Sequence, residues 1–509
     1  MNFTSLPFLG FVTVSICAFW CAPNRYKWMI LLIFSMYYGW SLSGLFMLHG
    51  LIVSCFVYFV TLFVDKQKEL MRANKGAGDY KEIKQRGKRK TSLVLATGTI
   101  ALLLSWLFLK FLPQIDLAHR ASSFSGWIAP AGISFYTLSL LSYLIDVCNG
   151  NCKAEKNIGK VILFTIYYPC IVQGPINRYG NLRDQFEKPV FHYNEFVCGF
   201  EQVVWGYFKK MVLADRLFQF TKGAFQGQYA GSQLILASIM AEIQLYADFS
   251  GGIDIACGIS KMMGINMPLN FDFPFLASSI SEYWRRWHIT LGNWMRDYIF
   301  YPLSLSKLMT KLGKTIRKHN KEAAAIIPGI LSMAALWVFC ALWHGNSLNF
   351  VLWGLYFWLL VSLDTIIEKK RDGLIQRQAK AIQVVIHIVQ VAATFVLASI
   401  GEMISQSNGW QGATTNLKNL FAPSDAKVFL FTADKFDRKD WLVVAVALVV
   451  LVTFELLSAF FFNKKLKERL AEGSLPLRWM LLIVGILVTL IFGYYGAGYD
   501  PTPFVYFQF

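Results

Sequence analysis

The sequence predicts an all-α polytopic membrane protein whose middle is a core of broken or re-entrant helices, and three observations carry that prediction. Of the 509 residues, 55% are hydrophobic and 16% aromatic, more apolar surface than a soluble core can enclose. The apolar residues gather in runs of roughly 17–25, long enough to cross a bilayer as helix. Lys and Arg bring the net charge to +18 and crowd into four segments, Lys66–Lys90, Lys307–Lys321, Lys369–Lys380 and Lys464–Arg478.

Taken in order, the apolar runs lie near 3–20, 28–48, 50–64, 93–112, 130–147, 157–173, 195–213, 232–247, 325–342, 348–367, 381–403, 441–462 and 479–495. They amount to about a dozen spans, with short or re-entrant pieces between 174 and 305. Met1-Asn2-Phe3 offers no positive n-region and no obvious cleavage site follows, so the first run reads as a retained span. The positive-inside rule places all four basic segments in the cytoplasm. Three spans before the first of them put the N-terminus outside and leave Arg25 and Lys27 inside; one span after the last puts the tail 496–509 outside. Attraction to anionic lipid accounts for the basic loops without invoking nucleic acid.

The chain reads as one multi-pass domain over 1–509, with no linker, low-complexity tract or visible internal repeat. Its longest polar stretch after the first loop, 404–440, falls outside and holds Phe429, Leu430 and Phe431, which suit partial order against the membrane surface. Gly and Pro cluster at Ala129–Gly132, Gln173-Gly174-Pro175, Ser250-Gly251-Gly252 and Phe273-Pro274. Breaks at membrane depth are tolerated only where the chain is buried in protein or lines a cavity. The nine cysteines mostly sit in apolar runs as small buried residues. Cys148 and Cys152, spaced i, i+4, have no second pair to complete a zinc site, and no metal is expected.

Chemistry points to two histidines, 56 positions apart: His288 in Trp284-Arg285-Arg286-Trp287-His288, and His344 in Trp343-His344-Gly345. Ionisable side chains at membrane depth are costly and mark functional paths, and histidine exchanges a proton near neutral pH. From Ser281 to Tyr301 the sequence keeps a helical period, with Trp284, Trp287, His288, Leu291, Met295 and Tyr298 on one face. Such a Trp- and Arg-rich helix suits the membrane interface, as a catalytic element or as a plain anchor. Gly345 lets another group approach the backbone beside His344. Asp248 either orients a histidine or satisfies an unwound helix end. His49, His119, His192, His319 and His387 are assigned no chemistry. The sequence contains no phosphate-binding loop with Lys-Ser or Lys-Thr, no His pair of metalloprotease spacing and no Gly-flanked nucleophilic Ser.

Several strings together resemble the membrane-bound O-acyltransferase (MBOAT) superfamily. They are Pro130–Thr137, Ser142–Val147, Gln173–Ile176, Tyr246–Gly251, Glu282–His288 and Trp343–Gly345, most specific between 130 and 350. The alginate O-acetyltransferase-like branch, itself related to the teichoic acid D-alanyltransferase, is the best match. The resemblance implies a catalytic core over 130–350 with His344 and His288 as the family histidines. After Arg296-Asp297-Tyr298, where many relatives are Gly-rich, this chain has Tyr301–Lys307 and a longer basic loop, which bears on the donor or acceptor. The terminal Phe504-Val505-Tyr506-Phe507-Gln508-Phe509 is similar to a motif of this branch and of a small companion protein, which implies that Tyr506 carries the acyl group; the bland alternative is an aromatic belt.

The activity so implied is acyl transfer, of acetyl first of all, in a bacterial plasma membrane. The donor is a cytoplasmic thioester, acetyl-CoA or an acyl-carrier protein, with no bound cofactor; the acceptor is a hydroxyl on an extracytoplasmic polysaccharide or partner protein, including a partner acyltransferase. His344 is the base, and His288 with Arg285 the electrophile, thioester positioner or contact to donor phosphates; Asp248, Trp343 and Gly345 support them. Thioester attack needs such a base and a donor to the developing oxyanion. A transporter or lipid or polymer flippase is the rival class, since it too has broken helices and midplane polar residues.

Overall fold

The computed structural model describes residues 1–76, 78–111, 130–345, 347–424, 436–461, 473–496 and 504. These residues are helical with no strand among them, and contact clustering divides the chain into two compact units.

The first unit comprises Met1–Val203 and Ile255–Pro268. Its helices are α1 (Leu6–Cys21), α2 (Lys27–Ser43), α3 (Met47–Ala73), α4 (Tyr80–Phe111), α5 (Ile133–Asn149), α6 (Ile158–Ile166) and α7 (Tyr179–Glu187). Ser5 caps α1 by accepting from the Phe8 amide, and Pro7 sits in the first turn, where its missing N–H costs nothing. Helix α5 is buried on every face from Ile133 to Leu144, as an element apolar all round must be; α3 packs against α4, α5 and α6. The expected run 157–173 does not continue as helix. After Ile166 the chain runs irregularly from Tyr167 to Arg178, through Gln173-Gly174-Pro175, and almost every residue of that stretch is buried. Gly132 opens α5 with φ +75°, and a Cβ there would lie 1.8 Å from the Ile171 carbonyl oxygen. The two breaks predicted from Gly and Pro therefore pack on each other.

The second unit comprises Val204–Asp254 and Leu269–Val505. Helices α8 (Tyr193–Tyr207) and α10 (Gly231–Met262) each contribute residues to both units, with α9 (Asp215–Thr221) between them in sequence. The unit continues with α11 (Ile280–Arg286), α12 (Ile289–Met295), α13 (Tyr301–Ser304), α14 (Lys307–Arg317), α15 (Lys321–His344), α16 (Leu348–Gln376), α17 (Lys380–Gln406), α18 (Gly409–Asn419), α19 (Arg438–Leu456) and α20 (Leu475–Phe492). Asn320 caps α15 and a reciprocal Asp437/Asp440 capping box starts α19. The predicted break at Ser250-Gly251-Gly252 is absent, because α10 runs unbroken. Its glycines serve close packing instead: a Cβ on Gly251 would lie 2.9 Å from the Gly206 carbonyl oxygen, and one on Gly258 2.5 Å from that of Gly199.

Seven helices among the described residues are long and apolar enough to span, against about a dozen expected. One of the seven, Asn24–Ala73, joins α2 and α3 across the turn Gly44–Phe46, whereas α1 and α5 have 16 and 17 residues. Outer faces carry exposed apolar residues such as Ile388, Val389, Leu442, Val449 and Ile491, a surface made for lipid. His387 lies on the exposed face of α17. His119, Phe429, Leu430 and Phe431 lie outside the described residues.

Two outcomes check this arrangement. A Cys at Gly373 is expected to resist membrane-impermeant maleimide in intact cells while one at Gln411, across α17, reacts; the reverse pattern breaks the orientation. Gly258→Leu overpacks the Gly199 contact at a cost of roughly 1–3 kcal/mol and lowers the melting temperature of the purified protein. Gly329→Ala on α15, where a Cβ meets nothing within 4 Å, leaves it unchanged or slightly raised, and equal effects at the two glycines refute the packing role.

Candidate active site

The segment expected to be one helix over 281–301 is three pieces. Ser279 caps α11, which ends at Arg286; Trp287 is extended, and His288 adopts the left-handed conformation (φ 42°, ψ 51°) before α12 begins. The backbone then widens into a π-helical turn, Arg296–Phe300. A left-handed non-glycine residue costs roughly 1–2 kcal/mol, and such strain persists where the surroundings over-determine it. Asn270 supplies that restraint. Its Oδ1 accepts from the Thr290 amide (3.2 Å) and the Thr290 hydroxyl (2.8 Å) and lies 3.1 Å from His288 Nδ1, while its carbonyl accepts from the Ile289 amide at 2.9 Å. At roughly 0.5–1.5 kcal/mol net for each hydrogen bond, the four together outweigh the strain.

The same contacts assign the His288 proton. A backbone amide can only donate, so the Asn270 atom facing Thr290 is the oxygen. That oxygen can only accept, and His288 Nδ1 therefore donates to it. In the neutral ring the lone pair then resides on Nε2.

His288 is only 3% exposed. Its ring meets Phe249 of α10 edge-on at 4.8 Å and lies 6.0 Å from the ring of Trp343. Trp343 in turn lies 5.0 Å from His344, which packs on Trp353 at 4.9 Å and stacks on Phe350 at 6.1 Å. One buried indole thus touches both histidines. Gly345 is fully extended at φ 178°, a conformation open to any residue; its requirement is space, since a Cβ would lie 2.5 Å from the Phe350 ring. The group predicted to approach this glycine is that ring.

The remaining expectations fare differently. The interfacial-anchor reading of 281–301 fails, because Trp284 packs edge-on against Trp337, Trp353 and Phe357 inside the unit, and Trp287 is buried on Phe271 and Tyr283. Arg285 is exposed; its neighbour Arg286 pairs with Glu282 at 2.6 Å. Asp248 sits in the middle of the continuous α10, so no unwound end is there for it to satisfy. Its buried carboxylate pairs with Lys210 Nζ at 2.5 Å, and Lys210 pairs with Asp215 at 2.8 Å. Tyr506 lies outside the described residues. Sequence reasoning missed Asn270, which lies 18 positions from its partner His288, and Lys210, which lies 38 positions from Asp248.

Residues 155–316 match the family described as MBOAT, membrane-bound O-acyltransferase. His288 falls inside that match and His344 beyond it. Across 393 residues the chain is 27% identical to the probable alginate O-acetylase AlgI of Pseudomonas putida, with 75% of each chain covered. It is 28% identical over 371 residues to the peptidoglycan O-acetyltransferase of Helicobacter pylori, covering 66% of this chain and 63% of that one. The teichoic acid D-alanyltransferase of Bacillus subtilis is 26% identical over 292 residues, 56% of this chain and 71% of that one. Against other alginate O-acetylases that it matches, the chain spans about half of their length. Together with the apolar helices and the strings from Pro130 to Gly345, these matches make the chain similar to the membrane-bound O-acyltransferases and mark it as a multi-pass membrane enzyme of the O-acyltransferase class.

Proposed function

We propose that this enzyme moves an acetyl group from a cytoplasmic thioester, acetyl-CoA or an acyl-carrier protein, to a hydroxyl on an extracytoplasmic polysaccharide or partner acyltransferase. The observation that carries the reading is Trp343, the indole in contact with both histidines. Acetyl is favoured over D-alanyl because relatives matched over two thirds or more of this chain's length are named as an O-acetylase and an O-acetyltransferase. The transport reading draws no support from the relatives.

His344 is half-buried at the end of α15 opposite to Lys321, suited to take a proton from an incoming hydroxyl. As the new C–O bond forms and the C–S bond breaks, the thiolate leaves and recovers a proton from the imidazolium, so His344 ends as it began. His288, with its Nδ1 proton committed to Asn270, offers a lone pair at Nε2. In that neutral form it orients an N–H or O–H of donor or acceptor, and it serves as an electrophile only when doubly protonated. Tyr506 divides the transfer in two: its phenol takes the acyl group first and passes it to the final hydroxyl, a phenyl ester being a better leaving group than an alkyl ester. Support for this carrier comes from the resemblance of the terminal hexapeptide alone.

His344→Ala is expected to lower acyl transfer at least about 10²-fold with normal expression and insertion; retention of more than about a tenth of the activity removes the base role. Incubation with labelled acetyl-CoA followed by mass spectrometry of the C-terminal peptide is expected to show an added acetyl group, absent in His344→Ala. Tyr506→Phe keeps the ring and removes the nucleophile, so transfer to the acceptor should stop. Wild-type transfer by that variant reduces the hexapeptide to an aromatic anchor.

A further inference from the structure

Helix α16 opens without a side-chain cap, since Ser347, its N-cap residue, makes no such hydrogen bond. Its first turn is held from outside by Asn349, a residue only 3% exposed. Asn349 Nδ2 donates to the Ser405 carbonyl at 2.5 Å and, more loosely, to that of Ile404 at 3.4 Å. Carbonyls can only accept, so the atom facing them is the amide nitrogen. Both carbonyls belong to the last turn of α17, where C=O groups find no partner within their own helix. One buried amide therefore ties the start of α16 to the end of α17.

That end of α17 is a firm support. Glu402 accepts from the Ser405 hydroxyl at 2.8 Å and from Gln406 Nε2 at 2.5 Å. The Ser407 hydroxyl donates to the Met403 carbonyl at 2.6 Å and accepts from Asn416 Nδ2 of α18 at 2.9 Å. On the other side of the tie stand the aromatic contacts of His344. Phe350, next after Asn349, stacks on the imidazole at 6.1 Å and 21°. Trp353, about one helical turn after Asn349, meets the same ring at 4.9 Å and 63°. The Phe350 ring also occupies the space beside Gly345, so the turn that follows His344 packs on the same residue.

We infer that Asn349 is a positioning residue for the base: by fixing the first turn of α16 it fixes Phe350 and Trp353, and through them the plane of the His344 ring. The inference rests on the reading of His344 as base. A base must lie within hydrogen-bond reach of the proton it takes, and a displacement of about 1 Å can cost about 10²-fold in rate. His344 is the last residue of α15, without continuing helix on one side to hold it, so the restraint has to come from a neighbouring element. Tyr356 offers the comparison. Its hydroxyl donates to the Leu397 carbonyl at 2.9 Å, joining the same two helices about two turns along α16 from Asn349.

The test uses the full-length protein in detergent, with labelled acetyl-CoA as donor and base-deacetylated envelope of the producing cells as acceptor. Asn349→Asp, which keeps the shape and withdraws the donor, is expected to lower kcat at least about ten-fold with an unchanged KM for acetyl-CoA. Phe350→Leu leaves both hydrogen bonds and removes the stacked ring; it should lose as much, and it decides the matter should Asn349→Asp fail to insert. Tyr356→Phe cuts a hydrogen bond between the same helices, and is expected to lower the melting temperature yet keep near wild-type transfer. In the His344→Ala background Asn349→Asp should cost no more than about two-fold, because residues acting as one unit are not lost twice. Wild-type kcat in Asn349→Asp or Phe350→Leu, an equal loss in Tyr356→Phe, or losses that multiply in the double variant overturn the positioning role and leave the base reading standing. If His344→Ala itself retains more than about a tenth of the transfer, the base reading falls and the positioning role with it.

Discussion

A backbone amide or carbonyl in hydrocarbon has no water to turn to, and the architecture of this enzyme follows from that one constraint. Regular helices satisfy it internally and can face lipid, as the apolar outer surfaces of α15 to α20 do. Irregular backbone must be enclosed by protein. The stretch Tyr167–Arg178 is therefore walled in by the first unit, and the segment around His288 is tied to Asn270 and covered by Phe249 and Trp343. A helical break at His288 and a helix end at His344 supply the polar groups from which an active site can be made.

Enclosure explains the aromatic content as well. Trp284, Trp337, Trp353 and Phe357 interlock edge-to-face, joining α11 to α15 and α16, and the last of these tryptophans also packs on His344. Edge-to-face pairs contribute roughly 0.5–1.5 kcal/mol each beyond the area they bury. In a bilayer, where lipid tails compete equally with apolar side chains, such directional contacts fix helix positions better than aliphatic packing does. The wall sets the distance between the two histidine segments, a task that their separation in sequence leaves to tertiary structure.

Much of the class was readable from residues alone. Apolar runs announce membrane helices, and the Gly/Pro clusters at 173–175 and 273–274 announce local interruptions of the helical backbone that appear where expected. What escaped was non-local. Trp284, Trp287, Leu291 and Met295 keep helical spacing across a break because the break is imposed by Asn270, which carries no helix-stopping signature of its own. Ser250-Gly251-Gly252 looked like a break and is instead a close crossing, since glycine permits both and only the neighbouring Gly206 decides. The two roles weighed for Asp248, orienting a histidine or satisfying an unwound helix end, both leave out Lys210, which lies on a different element.

The Asn270 oxygen serves a histidine ring, a hydroxyl and a backbone amide at once. An atom so heavily committed couples the sites that use it. Exchanging Thr290 for an aliphatic residue withdraws one donor, and exchanging Asn270 withdraws the acceptor from all of them, so neither position is free to drift while the other stays. Among descendants of this sequence, positions 270, 288 and 290 should change as a set or not at all, a correlated pattern of inheritance with its origin in the lone pairs of a single carbonyl.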